Sequence, residues 1–199
     1  MKKSMGILFS GMMFLSAAAC GSNAGGTADG AAKQADVQAT AGKKVLVAYY
    51  SRSGNTKAVA QQIQRLTGGD LFEIQTVKEY PASYSEMTEI AKKELAEGYT
   101  PELKNKAENW AAYDVVFIGS PDWWGTYAPA VRSFIAQYNF DGKTVAPFFT
   151  NGGGGMQNCE SDMKKQLAGV SVAPGITFPG RSSGAPEQEL KNWIQRVLK

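Results

Sequence analysis

Residues 44–56 read KVLVAYYSRSGNT, and the rest of the chain is best read outward from them. Lys44 to Tyr50 is a β-branched and aromatic run with the composition of a strand, and Ser51 to Thr56 is a turn rich in hydroxyls with one glycine. The next segment carries Val59, Ile63 and Leu66 on one helical stripe. Strand, tight turn and helix in immediate succession predict the first βα unit of a parallel sheet.

The alternation continues downstream. Gly68 and Gly69 end the first helix, Leu71, Phe72 and Ile74 mark a second strand, and Tyr84 to Gly98 forms a helix with Met87, Ile90, Ala91 and Leu95 on one face. Val115-Val116-Phe117-Ile118 has the uninterrupted apolar character of a central strand covered on both faces. A helix with Val131, Phe134, Ile135 and Tyr138 inward follows. Lys143 to Thr150 is a fourth strand, although Pro147 cannot donate to a sheet ladder and favours edges or bulges. Met156 to Leu167 reads as a helix, Ile176 to Phe178 as a short fifth strand, and Pro186 opens a last helix with Leu190, Trp193, Ile194 and Val197 on its stripe. Five strands alternating with helices predict an α/β fold with a doubly wound parallel sheet, whose ligands bind at the carboxyl ends of the strands.

Composition narrows the chemistry. With 43% hydrophobic and 20% charged residues in 199, the chain is an ordinary globular protein. It contains no histidine, which removes imidazole general acid/base catalysis, Ser-His-Asp and Cys-His constellations and imidazole zinc sites. Two cysteines, Cys20 and Cys159, cannot build a four-thiolate metal site. Gly180-Arg181-Ser182-Ser183-Gly184 matches the serine-hydrolase Gly-x-Ser-x-Gly pattern, but without a histidine base the match is fortuitous. A net charge of +3 with no basic run argues against a nucleic-acid partner.

The N-terminus reads as an address. Lys2 and Lys3 precede a short apolar stretch and then the small residues Ser16 to Ala19 before Cys20, so residues 1–20 are expected to be a secretory signal. Small residues directly before a cysteine resemble the bacterial lipoprotein processing site, with Cys20 the lipidated first residue, although Ala17 stands where that site usually has Leu. An ordinary secretory signal giving a secreted or periplasmic soluble protein is the alternative. Twelve of the 22 residues from 21 to 42 are Gly or Ala, a composition that makes a flexible tether rather than a core. Residues 43–199 are left to form one domain, large enough to need no disulfide or metal staple. Cys159, without a partner once Cys20 carries lipid, is expected to be a small buried hydrophobe beside Met156, Met163 and Leu167.

Three loops fall at the expected carboxyl ends. The first holds Ser51, Arg52, Ser53, Gly54, Asn55 and Thr56 at a helix N-terminus. Its hydroxyls, its glycine and the first-turn amides suit a phosphate. It is neither a Walker A loop nor Gly-x-Gly-x-x-Gly, which favours a monophosphate, and a plain helix cap is the alternative. The second brings Pro121, Asp122, Trp123, Trp124, Gly125 and Tyr127 to a strand end, where three aromatics either cover a flat ligand or pack on a neighbouring helix. One of the two tryptophans is expected to be core, and spacing does not say which. The third, Asn151, Gly152, Gly153, Gly154 and Gly155, allows backbone groups to approach a heteroaromatic ring, or is simply a flexible turn.

Together these loops, with the phrases Ala48-Tyr49-Tyr50-Ser51 and Phe117-Ile118-Gly119-Ser120-Pro121, resemble the flavodoxin family over about residues 44–199. The resemblance implies a five-stranded sheet in order 2-1-3-4-5 and FMN as cofactor. By it, Ser51, Ser53, Asn55 and Thr56 hold the phosphate while Arg52 and Gly54 shape the loop. Trp123, Trp124 and Tyr127 are candidates to stack on the isoalloxazine ring, with Pro121 and Asp122 beside them, and Asn151, Gly152, Gly153 and Gly154 approach the ring edge. Gly125 is expected to let the Trp124–Gly125 peptide turn as the flavin changes redox state. The flavin supplies the redox chemistry, so no catalytic side chain is expected. The leading function is membrane-tethered electron transfer with redox partner proteins or a small acceptor. An FMN-dependent reductase of quinone-like acceptors and a cofactor-free binding module are the alternatives.

Overall fold

The structure, a computed structural model, describes residues 42–181 and 183–199; the proposed signal, Cys20, nearly all of the tether and Ser182 lie outside the described residues. The strand expected at Lys44 is β1 (Val45–Tyr49), buried at every position. It is followed by α1 (Asn55–Thr67), β2 (Asp70–Glu73), α2 (Tyr84–Glu97), β3 (Val115–Trp123) and the two-residue β4 (Thr126–Tyr127). Then come α3 (Pro129–Gln137), β5 (Thr144–Asn151), α4 (Cys159–Gln166), β6 (Ser171–Val172), β7 (Ile176–Pro179) and α5 (Glu187–Leu198).

The parallel sheet runs β2-β1-β3-β5, with β6 and β7 both pairing with the far side of β5. By position this is the expected 2-1-3-4-5 order. The fifth place is shared by two short strands, and β4 is an antiparallel return on the end of β3. Side-chain alternation along the strands divides the core in two. Val45, Val47, Val115, Phe117, Ala146 and Phe148 face α1 and α5. Leu46, Ala48, Val116, Ile118, Val145 and Phe149 face α3 and α4. A strand buried on both faces has no polar register, and for that reason β1 and β3 read as continuous apolar runs.

Pro147 sits inside β5, opposite Ile118 of β3. Thr144 donates its N–H to Asp114 on the β3 side, whereas the carbonyl of Val145 accepts from Ala173 on the outer side. Odd-numbered residues of β5 therefore present their peptide groups outward, and Pro147 is one of them. Between the pairs Val145↔Val172 and Phe148↔Ile176 the outer side has one residue more than β5, a bulge. The missing N–H of the proline falls in this break.

Helix ends follow local chemistry. Ser83 caps α2 by accepting from the Glu86 amide, and glycines in the left-handed region end α1 and α2 at Gly68 and Gly98. The helix expected from Met156 begins only at Cys159, because Gln157 has φ 44° and the Asn158 amide is drawn away to the carbonyl of Gly125. No helix among the described residues is long and apolar enough to cross a membrane.

Gly119, paired with Phe148, lies under the ring of that residue, and a Cβ there would come within 2.2 Å of Phe148 Cζ. Phe148 is fully buried and has little room to shift. Gly119→Ala is expected to lower stability by about 1–3 kcal/mol, the usual cost of overpacking, and urea unfolding should show a lower midpoint at unchanged slope.

Candidate functional site

The carboxyl ends of β1 and β3 are neighbours at the point where the order of strands reverses, and the end of β5 lies next to them. A cavity of about 530 Å³ opens there. The loop after β1 contributes Ser53 and Asn55, the end of β3 contributes Pro121 to Trp124, and the end of β5 contributes Thr150, Asn151 and Gly152. The facing wall is α2, through Tyr84, Met87, Thr88, Glu89 and Ala91.

In the first loop Gly54 takes φ 87°, a conformation that glycine adopts without a Cβ penalty, and so turns the chain abruptly into α1. The first amides of the helix, Asn55, Thr56 and Lys57, have no carbonyl one turn behind them to accept. Arg52 donates to the carbonyls of Pro81 and Ala82 at 3.1 and 2.5 Å, which fastens the loop to the segment leading into α2. Thr56 is buried, and its Oγ1 lies 2.8 Å from Thr150 Oγ1. Ser51 Oγ is buried with no hydrogen-bond partner among the described residues. Ser51 and Arg52 line a second, polar cleft of about 230 Å³ beside the main cavity.

The second loop is shorter than expected. β3 continues to Trp123, and only Trp124 and Gly125 separate it from β4. Both take positive φ, 55° and 82°, as a tight two-residue hairpin turn demands. Trp124 is 55% exposed; its Nε1 donates to the carbonyl of Thr88 at 2.9 Å and Lys92 lies 5.0 Å above its ring. Trp123 is half-buried against Tyr50 and Tyr80. Both tryptophans line the cavity.

One expectation needs correction. Tyr127, proposed to stack on a ligand, is 2% exposed and belongs to the core under α3 and α4, with its hydroxyl on Gln166, and it does not line the cavity. In the β3–β4 turn the Gly125 N–H donates to Asp122 Oδ1 at 2.9 Å, and the carbonyl of Gly125, on the next peptide, accepts from Asn158.

In the third loop, Asn151 is a brace. It accepts from the Gly153 amide and donates to Thr177 Oγ1 and the carbonyl of Phe178, joining the ends of β5 and β7. Gly152 reaches the cavity, whereas Gly153 and Gly154 do not line it. The α2 wall and Gly180 were missed by sequence reasoning. Met87 and Ala91 did carry a signal, an apolar stripe, but a stripe does not distinguish a core from a cavity wall.

Asp122 is the partly buried carboxyl of the cavity wall. Burial raises its carboxyl above the ordinary range, against the opposing N–H of Gly125, and the neighbouring thiol of Cys159 is itself pushed up by burial. A carboxyl whose folded pKa exceeds its unfolded value of about 3.9 stabilises the fold below that pH and loses the contribution as pH rises through the folded pKa. Asp122→Asn keeps an acceptor for Gly125 and does not ionise. Its stability relative to wild type should therefore increase between about pH 4 and pH 7, measured as urea midpoints. A constant difference between the two proteins would show that Asp122 titrates normally.

The flavodoxin family model matches residues 44–197. A candidate flavoprotein of Bacteroides eggerthii is 30% identical, with a TM-score of 0.71 over 79% of this chain and 99% of its own. A second, of Bacteroides uniformis, is 31% identical, with a TM-score of 0.69 over 77% and 99%. A Lactobacillus acidophilus flavoprotein in complex with FMN is 26% identical, with a TM-score of 0.63 over 76% and 99%. No curated protein matches significantly. A family match over residues 44–197, carried by a parallel sheet with its cavity at the switch of strand order, establishes that the chain belongs to the flavodoxin family.

Proposed function

We propose that this protein is an FMN-binding electron carrier, held to the outer face of a bacterial membrane by lipid on Cys20. The observation that carries the FMN reading is the union of an anion-binding turn with an aromatic-walled cavity across three strand ends. The buried Ser51 hydroxyl without a partner and the helix amides beside it fit a phosphate monoester. The Lactobacillus relative in complex with FMN supports the same choice.

In this reading Ser51, Ser53, Asn55 and the amides of the turn hold the phosphate. Thr56, engaged with Thr150, fixes the turn rather than acting alone. Arg52 anchors the loop from outside. Trp123, Trp124 and Met87 offer apolar surface to the ring and exclude water, and Asp122 stands in the same wall. FMN supplies reversible one- and two-electron transfer. The chain's part is to bind it, orient it and set its surroundings.

A second reading, an FMN-dependent reductase of quinone-like acceptors, is favoured by the cavity mouth. There Tyr84 is 72% and Trp124 55% exposed, which leaves aromatic surface for a small planar molecule. Steady-state turnover with NADH or NADPH and a quinone separates the two readings; an electron carrier shows none without a partner reductase.

Ser51→Ala should weaken FMN binding by about 1–3 kcal/mol, the range for a hydrogen bond to a charged group, while riboflavin, which lacks the phosphate, is held equally by both proteins. Fluorescence titrations measure both. Equal losses for the two ligands would place the phosphate elsewhere. For the tether, Cys20→Ala should move the protein from the membrane to the soluble fraction and abolish fatty-acid labelling. A variant that stays in the pellet unlabelled, as wild type would then also be, rejects lipidation.

A further inference from the structure

Trp123 stands between the two clefts. It lines the main cavity, and its ring meets Tyr80 edge-on with centroids 5.0 Å apart and Tyr50 at 5.6 Å. The two tyrosines are themselves 6.2 Å apart and line the polar cleft, together with Arg52, Glu73 and Lys104. They differ in one respect. The Tyr80 hydroxyl donates to Glu94 Oε2 at 2.5 Å, and among the described residues the Tyr50 hydroxyl has no such acceptor. Burial holds both phenols well above their ordinary pKa, so neither ionises on its own.

An indole that has lost an electron is a strong oxidant. A phenol in contact with it gives up an electron readily only when the phenolic proton has somewhere to go at the same moment, within hydrogen-bond reach. Trp123, Tyr80 and Glu94 are an indole, a phenol and a base in that order, leading out of the cavity.

We propose that Trp123, Tyr80 and Glu94 form an escape route for oxidising equivalents generated in the cavity. The proposal rests on the FMN reading above, and its oxidant is the oxidised flavin excited by blue light. Trp123 gives one electron to that oxidant. Tyr80 then returns one electron to Trp123 and passes its phenolic proton to the Glu94 carboxylate. At the end the flavin has gained one electron, Tyr80 has lost one electron and one proton, Glu94 is protonated and Trp123 is restored. The oxidised site has moved from the cavity wall to a polar cleft where soluble reductants can repair it. Tyr50, also packed edge-on against Trp123 but lacking a proton acceptor among the described residues, is not on the route.

The test uses the full chain loaded with FMN, a blue flash, transient absorption and electron paramagnetic resonance of frozen samples. In wild type a tryptophan radical should be replaced by a tyrosyl radical. Tyr80→Phe should abolish the tyrosyl signal and leave the tryptophan radical to disappear only by recombination. Glu94→Gln, which leaves the rings in place and removes the base, should have the same effect, so the proposal survives as testable if Tyr80→Phe misfolds. Tyr50→Phe should retain the tyrosyl signal. Under continuous light, mass spectrometry should find oxidised Trp123 accumulating faster in Tyr80→Phe than in wild type. A tyrosyl signal that persists in Tyr80→Phe, or vanishes in Tyr50→Phe, overturns the route. Bound FMN with no tyrosyl radical in wild type defeats the relay alone, whereas a protein that stays colourless after FMN addition and desalting defeats the cofactor reading and the relay with it.

Discussion

Two buried hydroxyls, Thr56 Oγ1 and Thr150 Oγ1, lie 2.8 Å apart although 94 positions separate them in the chain. Away from water each needs the other: a buried polar group without a partner costs about 1–3 kcal/mol. The bond fixes the first turn of α1 to the end of β5, so the turn after β1 and the glycine loop are held together. Other bonds extend the brace. Asn151 reaches Thr177 and the carbonyl of Phe178, Gly180 donates to the carbonyl of Asn151, and Asn158 donates to that of Gly125. The loops that border the cavity are thus connected to one another as well as to the sheet beneath them.

Across the mouth of the cavity a second brace works under strain. Trp124 occupies the left-handed region at φ 55°, which for a residue with a Cβ costs of order 1–3 kcal/mol and persists only when the surroundings impose it. Here the surroundings are identifiable. Asp122 holds the Gly125 amide, and the Trp124 indole is bonded to the carbonyl of Thr88 beneath Lys92. The strained φ belongs to the two-residue turn of the β3–β4 hairpin, and the bond from Trp124 to Thr88 ties that turn to α2.

The fold was legible because its signals are local and repeated. The βα unit at 44–67 and the apolar run in β3 needed no knowledge of distant residues. The turn proposed for the phosphate is readable for the same reason, since its residues are consecutive. What sequence could not convey was pairing. Trp123 and Trp124 are indistinguishable by composition, and only the β3–β4 hairpin separates them into a half-buried and an exposed residue. Tyr127 looks like a loop aromatic, but it lies in the two-residue β4, buried with its hydroxyl on Gln166. Met87 and Ala91 announced a buried helix face without saying that part of what it faces is space. The split between β6 and β7 was likewise invisible, because two residues are too few to show a period.

That split has a consequence for crowding. A long, straight border of unpaired peptide groups is a template on which another chain can add a strand. The described sheet offers no such border: β2 is four residues long with Asp70 and Glu73 at its ends, and the opposite margin is divided into pieces of two and four residues by a bulge at Pro147. The proline that looked like a fault in the sheet lies at the break that keeps this margin in short pieces.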